Sequence, residues 1–164
     1  MRNSFRFDFD RITGKRWNTE NGEDFGDEIN LVEPGFNSGW NKVQGIWILD
    51  EQEGMTEIAP LHPQNGLVDF GGKGKYSPPE FTWRESLGPS AIKFLNSDRL
   101  GTQYENDIFV GDISKGNLYH FELNEDRTQL VLEGSLANKV GAADDENEGI
   151  IFGQGFGAIT DIEV

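Results

Sequence analysis

The residues best suited to chemistry lie in an acidic, glycine-punctuated run between positions 17 and 40. The carboxylates and glycines of interest there are Gly22, Asp24, Gly26, Asp27 and Glu28. Glycine permits a positive φ, which can turn backbone carbonyls inward. Carbonyl and carboxylate oxygens together are the donors that Ca²⁺ prefers. The spacing differs from the EF-hand pattern, so an acidic turn between two strands stays open beside a calcium site.

Other reactive patterns are weak. Residues 153–157 look like a phosphate loop, but they neither open a helix nor carry a Lys-Ser pair. The chain has no cysteine, and its two histidines, His62 and His120, are far apart, which disfavours a zinc site. We interpret His62 as a loop residue and His120 as a satisfied or solvent-facing strand residue. No nucleophile elbow occurs. The residues alone therefore predict no reaction.

Composition limits the partners. A net charge of -15 repels nucleic acid and anionic membranes, so neither is expected as a partner. The 164 residues suit one domain, and 12 Phe and 4 Trp predict a core built from aromatic side chains. No apolar run reaches the 18 residues of a membrane span.

The pattern predicts an all-β fold. Residues 1–45 read as a first four-stranded propeller blade, and the alternation of Phe5, Phe7 and Phe9 with charged residues predicts a half-buried first strand. The four strands of this blade are expected at residues 5–9, 15–19, 28–32 and 40–43. Residues 46–81 lack periodic apolar positions and are expected to form an insertion loop, with residues 46–49 extending the outer strand and one helical turn at 55–58.

A second blade is expected over residues 82–140. Its four strands are predicted at residues 90–95, 107–112, 118–123 and 129–133. Residues 141–164 should form an acidic loop followed by the first strand of a further blade, at 159–164. We therefore expect one partial propeller domain over residues 1–164, with about two blades plus one strand. The open strands predict homo-oligomers, or further blades supplied by a longer chain.

Several strings resemble the glucose/sorbosone dehydrogenase family. They are RNSFRFDFDRITGKRWNTENG, DEINLVEPGFNSGW, FTWRESLGPSAIKFL, NDIFVGDISKGNLYHFEL and ITDIEV. The resemblance implies a six-bladed β-propeller that binds pyrroloquinoline quinone (PQQ) and calcium on its axis. It also implies oxidation of aldose sugars at C1 by hydride transfer to the quinone. Members are mostly exported, so a periplasmic or extracellular location is expected.

The resemblance also implies roles for single residues. Gly22 and Glu23 match the positions whose backbone carbonyls hold the cofactor calcium. Asp27 matches the motif aspartate facing the cofactor region and is expected near both metal and quinone. Glu28 resembles the acidic position that joins a second calcium in some members.

Three further residues are expected at the quinone. Trp83 matches an aromatic residue near the quinone plane. Ser114 aligns with a position where some members carry a lysine that faces a quinone carboxylate, and Lys115 is adjacent.

The chain also departs from the family pattern. Ala158 and Thr160 stand where members carry two arginines that pair with cofactor carboxylates. The family's catalytic histidine matches no position in this chain and would lie before Met1, so no catalytic residue is expected here. Two alternatives remain beside a partial dehydrogenase: a non-catalytic calcium-stabilised binding or assembly module, and a small β-protein with an unrelated role.

Overall fold

The structure is a computed structural model that describes residues 1–50, 54–59 and 66–164. Within them the chain is rich in strands and has a few short helical turns. In chain order the strands are β1 (Ser4–Phe9), β2 (Arg16–Glu20), β3 (Phe25–Val32), β4 (Phe36–Asn37), β5 (Val43–Gln44), β6 (Trp47–Asp50), β7 (Gly54–Ile58), β8 (Lys75–Tyr76), β9 (Phe81–Glu85), β10 (Pro89–Phe94), β11 (Ile108–Asp112), β12 (Leu118–Phe121), β13 (Val140–Gly141) and β14 (Ile151–Gly153). The helical turns are the 3₁₀ turns Thr102–Tyr104, Gly134–Asn138 and Glu148–Ile150, and the α-helix α1 (Asp144–Asn147).

The first sheet has the order β1-β2-β3-β9-β13. Its first three strands are the predicted ones, although β3 begins at Phe25 and not at residue 28, so Asp27 also lies in the strand. The prediction of a fourth strand at residues 40–43 was wrong. That place is taken by β9, which follows the insertion and pairs antiparallel with β3. Residues 1–45 therefore supply only three strands of this sheet.

The second sheet has the order β10-β11-β12-β14. Its first three strands match the prediction, but the fourth, expected at residues 129–133, is β14 instead. In the expected segment only one bridge forms, between Leu130 and Leu123. The turn before it contains Arg127 at φ 54, and Asn124 Oδ1 accepts the amides of Thr128 and Gln129. The Val131 N–H still donates to Glu122 O at 2.8 Å, so this segment pairs only briefly before the 3₁₀ turn Gly134–Asn138.

The insertion contains more structure than a loop. Strands β5, β6 and β7 form a three-stranded sheet, and β4 pairs with β8 in parallel. Residues 55–58 belong to β7, so the predicted helical turn was wrong. The predicted loop residue His62 lies outside the described residues. Among the residues that the structure describes, no helix is long and apolar enough to cross a membrane.

An aromatic core joins the two large sheets, as the composition predicts. The indole of Trp83 packs against the rings of Phe81, Tyr119 and Phe121 at centroid distances of 4.9, 5.2 and 6.2 Å. Trp17 and Phe94 are also fully buried. These contacts fix the first sheet against the second.

Strand β1 faces the opposite way from the prediction. Phe5, Phe7 and Phe9 are 44%, 58% and 50% exposed. Asp8 instead points toward the second sheet, where its Oδ2 accepts the backbone N–H of Phe94 at 2.9 Å and lies 3.6 Å from the Nζ of Lys93. In this alternating strand it is therefore the charged residue Asp8, and not the phenylalanines, that contacts the second sheet.

The C-terminal residues do not form the predicted strand at 159–164. They lie across the second sheet, where the backbone N–H of Ile159 donates to Asp112 O at 3.1 Å. A Cβ on Gly111 would stand 2.4 Å from Cγ2 of Ile159, so glycine is required at this crossing. The described part of the chain therefore holds several sheets, none of them closed.

Candidate functional site

Strands β2 and β3 place four polar side chains on one face of the first sheet. Asn18 pairs with Asn30 across the two strands, and Glu20 pairs with Glu28. Side chains two positions apart share a face, and directly opposite Cβ atoms lie about 4.5–5.5 Å apart. The alternation in Asn18-Thr19-Glu20 and in Glu28-Ile29-Asn30 therefore gathers two carboxylates and two amides. We call this group the carboxylate cluster.

The carboxylate cluster is buried beneath the segment that follows β4. Glu20 and Glu28 are 4% and 3% exposed. Ser38 Oγ donates to Glu20 Oε1 at 3.1 Å, and the backbone N–H of Gly45 donates to Glu28 Oε1 at 2.7 Å. Asn30 Nδ2 donates to Glu28 Oε2 at 2.8 Å. The two carboxylates are thus held in place by neutral donors.

Several buried oxygens of this region have no hydrogen-bond partner among the described residues. They are Asn18 Oδ1, Glu20 Oε2, Asn21 Oδ1, Asn30 Oδ1 and Gln44 Oε1. All are acceptors, and leaving a buried acceptor unpaired costs about 1–3 kcal/mol. A cation with several oxygen ligands would satisfy such a set. The adjoining cavity has a volume of about 10 Å³ and touches Glu20, Glu28 and Gln44.

The electrostatics of the pair favour uptake of a positive charge. Burial, together with the nearby Glu20 carboxylate, raises the pKa of Glu28 to about 8. Burial and the Glu28 charge also raise the pKa of Tyr76 to about 12. Two buried carboxylates this close cannot both be charged unless a proton or a metal ion compensates them. The carboxylate cluster can therefore bind either a proton or a cation.

Asp27, predicted to bind metal and cofactor, has a different environment. Its carboxylate accepts the backbone N–H groups of Gly22, Leu87 and Gly88 at 2.7, 2.7 and 2.8 Å, and the Ser86 hydroxyl at 3.2 Å. Burial raises the pKa of Asp27, and these hydrogen bonds oppose that effect. The side chain ties the β2–β3 hairpin to the loop after β9.

The two carbonyl positions predicted to hold calcium lie in the β2–β3 hairpin, which is a short turn. Gly22 O accepts a hydrogen bond from Arg2 Nη1 at 2.7 Å, and Glu23 is exposed. Within residues 1–50, 54–59 and 66–164, no three carboxylate, imidazole or thiolate side chains meet as a metal site. A calcium site here must therefore combine the two glutamates with amide or backbone oxygens.

The remaining predicted cofactor residues differ in their exposure to solvent. The Trp83 ring is fully buried in the core. Ser114 and Lys115 lie in the exposed turn between β11 and β12, where Lys115 Nζ contacts Asp144 and lies 3.7 Å from Glu85. The Ser114 N–H donates to Leu87 O at 3.2 Å, so this turn meets the loop that Asp27 binds.

A separate cleft lies against the second sheet. It has a volume of about 580 Å³ and is lined by Lys93, Phe109, Leu118, Ile162 and Val164 among others. None of the predicted site residues lines this cleft. The sequence analysis also missed Glu20, Asn18, Asn30 and Gln44 as members of a polar site. The signal was present as the matched spacing of Asn-X-Glu and Glu-X-Asn on two strands that form a hairpin.

The family model for glucose/sorbosone dehydrogenases matches residues 1–152, and the chain belongs to this family. Protein slr1608 of Synechocystis sp. (strain ATCC 27184 / PCC 6803 / Kazusa), described as uncharacterized, is 29% identical over 129 residues, which are 79% of this chain and 28% of the relative. The structure is similar to a crystal structure of glucose dehydrogenase, with 25% identity and a TM-score of 0.58.

A second similar structure is the soluble aldose sugar dehydrogenase of Escherichia coli in the apo form, with 22% identity and a TM-score of 0.57. Both structural matches cover 82% of this chain and 35% of the other chain. The chain thus spans about a third of the length of these solved relatives. The resemblance stated from the sequence motifs is confirmed at the level of the family.

Proposed function

We propose that this chain is the calcium-binding part of a sugar dehydrogenase that oxidises aldoses at C1. Membership of the glucose/sorbosone dehydrogenase family supports the reaction class. The observation that carries the calcium assignment is the set of buried, unpartnered acceptor oxygens around Glu20 and Glu28. In such a protein, PQQ would accept the hydride from the sugar, and the calcium ion would stabilise nearby negative charge. A six-bladed propeller and a periplasmic or extracellular location belong to the same proposal.

The carboxylate cluster fits calcium better than the hairpin carbonyls do. Glu20 Oε2 and Asn30 Oδ1 are both unpartnered, whereas Gly22 O already accepts from Arg2. Calcium takes six to eight oxygen ligands with flexible geometry, so glutamates and amide oxygens together suit it. In the proposed site Glu20 and Glu28 bind the ion, and Asn30 and Gln44 complete the donor set.

Among the predicted quinone residues, Asp27 pairs with Trp83 across β3 and β9, and the Ser114 N–H donates to Leu87 O beside Asp27, but Trp83 and Lys115 are engaged with other partners. A ring cofactor cannot stack on Trp83 while core aromatic rings enclose it. The ammonium of Lys115 faces the carboxylates of Asp144 and Glu85, and both would repel an anionic quinone. We therefore derive no step through PQQ from these residues.

A second function is favoured by the same enclosure of Trp83 and pairing of Lys115. In it the chain is a calcium-stabilised binding or assembly module that does not oxidise sugars. The two functions share the calcium site and differ in whether the quinone binds. Titration of the calcium-loaded chain with PQQ separates them.

Thermal unfolding in calcium and in chelator tests the proposed calcium site. Ligand at a hundredfold excess over Kd stabilises a protein by about 2.7 kcal/mol, which is about 5–10 °C for a chain of this size. We expect this shift in the wild type and its loss in Glu20→Gln and Glu28→Gln. Glu33→Gln, at an exposed position, serves as the control and should retain it. The same shift in all four proteins, or in none, would reject the site.

A further inference from the structure

Arg2 lies at the edge of the carboxylate cluster and contacts it in two ways. Its backbone N–H donates to Glu20 Oε1. Its guanidinium Nη1 donates to Asn21 O at 3.0 Å and to Gly22 O at 2.7 Å. The side chain also lines the small cavity beside Glu20 and Glu28. The positively charged guanidinium of Arg2 therefore lies at the edge of the carboxylate cluster.

The aromatic ring of Trp40 supports this position. Arg2 Cζ lies 5.4 Å from the centroid of the Trp40 ring, within the range of a cation–π contact. Asn3 O accepts the backbone N–H of Asn21 at 2.9 Å, which holds the N-terminal residues across the hairpin. The guanidinium is exposed to solvent, so it can move away without unfolding the sheet.

We propose that Arg2 is an internal cation of this site and competes with a divalent cation for it. The Arg2 side chain lines the small cavity beside Glu20 and Glu28, and its positive charge would repel a calcium ion bound there. Arg2 thus weakens cation binding and covers the cluster when no metal is bound. This inference rests on the calcium site proposed above.

Calcium titration of single variants tests the competition. Arg2→Gln removes the charge and the guanidinium fork but keeps the backbone N–H. We expect it to bind calcium about three- to tenfold more tightly than the wild type, because one positive charge is removed from the lining of the cavity beside the site. Arg6→Gln is the matched control. It loses the same charge four residues further on, in β1, at a side chain that donates to Thr160 O at 3.4 Å.

The carbonyl ¹³C chemical shifts of Asn21 and Gly22 provide a readout without metal. They should move in metal-free Arg2→Gln and stay unchanged in Arg6→Gln. Equal calcium affinity in the two variants, or weaker binding in Arg2→Gln, overturns the inference. Another outcome is that the wild type binds calcium in a way that requires Glu28, while Arg2→Gln binds it no more tightly. That result would support the calcium site and reject the role of Arg2. If no variant binds calcium, both proposals fail.

Discussion

At the scale of single residues, Glu20 and Glu28 are the unusual feature of this chain. They face each other across two strands, and both are buried. A buried carboxylate needs compensation, and the hydrogen-bond donors to this pair are neutral hydroxyl, amide and backbone groups. The positive charge of the N-terminus lowers the pKa of Glu28 but does not outweigh burial and the Glu20 carboxylate, which raise it. In the proposed site a bound calcium ion would replace the proton on the pair, so metal binding would depend on pH.

The metal-free protein should lose stability as the pH rises from about 5 to 8. Glu28 has a pKa of about 8 when folded, against 4.5 as its ordinary value, so the folded state binds the proton more tightly. That stabilisation is complete below the unfolded pKa and disappears as the pH rises through the folded one, with a slope of at most about 1.4 kcal/mol per pH unit. Urea unfolding in chelator measures it.

Glu28→Gln should flatten this pH dependence and make the metal-free protein more stable than the wild type at pH 8.5. The glutamine oxygen can keep the Gly45 N–H, and its NH₂ can donate to the unpartnered Asn30 Oδ1 once the Asn30 amide, which now donates to Glu28 Oε2, rotates. Glu33→Gln, at an exposed position, should keep the wild-type slope. An unchanged slope in Glu28→Gln would show that another group causes the pH dependence.

Asp27 gives a second prediction at the residue scale. Asp27→Asn should lower the free energy of unfolding by about 2 kcal/mol or more, because an NH₂ group would face the backbone donors of Leu87 and Gly88. Asp24→Asn, in the same hairpin but exposed, should change stability by less than about 0.5 kcal/mol. Chemical denaturation compares the two. Equal effects would mean that Asp27 has no special role.

The sequence motifs singled out Asp27 and Glu28 as candidate site residues. They did not predict which groups surround these side chains. The role of Asp27 depends on Leu87 and Gly88, about sixty residues away, and no local pattern predicts that contact. Glu20 and Asn30 were missed because a side chain's neighbours depend on strand register. That register becomes readable only once β3 is known to start at Phe25 and not after the acidic residues.

At the scale of elements, the β2–β3 hairpin holds the candidate site together. It closes tightly: a Cβ at Gly22 would stand 1.8 Å from Phe25 O. This crowding requires glycine through close packing and not through a positive φ. The acidic character of the hairpin is therefore compatible with a short structural turn, which was the alternative reading of the sequence.

Gly22→Ala should destabilise the protein by more than about 2 kcal/mol, because the backbone must shift to admit the methyl group. Gly149→Ala is the control, since a Cβ there meets nothing within 4 Å. Thermal unfolding of the two variants measures the difference. A Gly22→Ala protein as stable as the Gly149→Ala protein would contradict the tight hairpin.

The mispredicted elements share a physical cause. Local alternation located β10, β11 and β12 correctly, but the fourth strand of each large sheet, β9 or β14, comes from a distant segment. Such a position is filled by whichever segment can reach it and pair. Residues 40–43 had suitable composition but lie mostly in a turn, and residues 129–133 return to the preceding strand segment for only one bridge, between Leu130 and Leu123. The local pattern of apolar and polar residues does not predict which of two candidate segments pairs at such a position.

At the scale of the whole molecule, each large sheet retains an outer face with exposed aromatic rings. Phe5, Phe7 and Phe9 lie on the first sheet, and Phe152 lies on the second. Phe7 and Phe9 stack edge to face at 5.8 Å. Exposed apolar patches of this kind mark interaction surfaces. In an edge strand such as β1 they also favour pairing with another chain.

We expect the chain to self-associate through the β1 face. The double variant Phe7→Thr/Phe9→Thr should lower the weight-average mass in analytical ultracentrifugation, because it removes the apolar surface that association would bury. Val131→Thr, which changes an exposed apolar side chain elsewhere, should leave the mass unchanged. A wild type that stays monomeric at about 100 µM would contradict this expectation.

A long-wavelength anomalous diffraction map of crystals grown in calcium would show directly whether calcium binds between Glu20 and Glu28. We expect a calcium peak at about 2.3–2.6 Å from carboxylate oxygens of both glutamates and from Asn30 Oδ1. A peak only at the carbonyls of Gly22 and Glu23, or no peak in the chain, would contradict it.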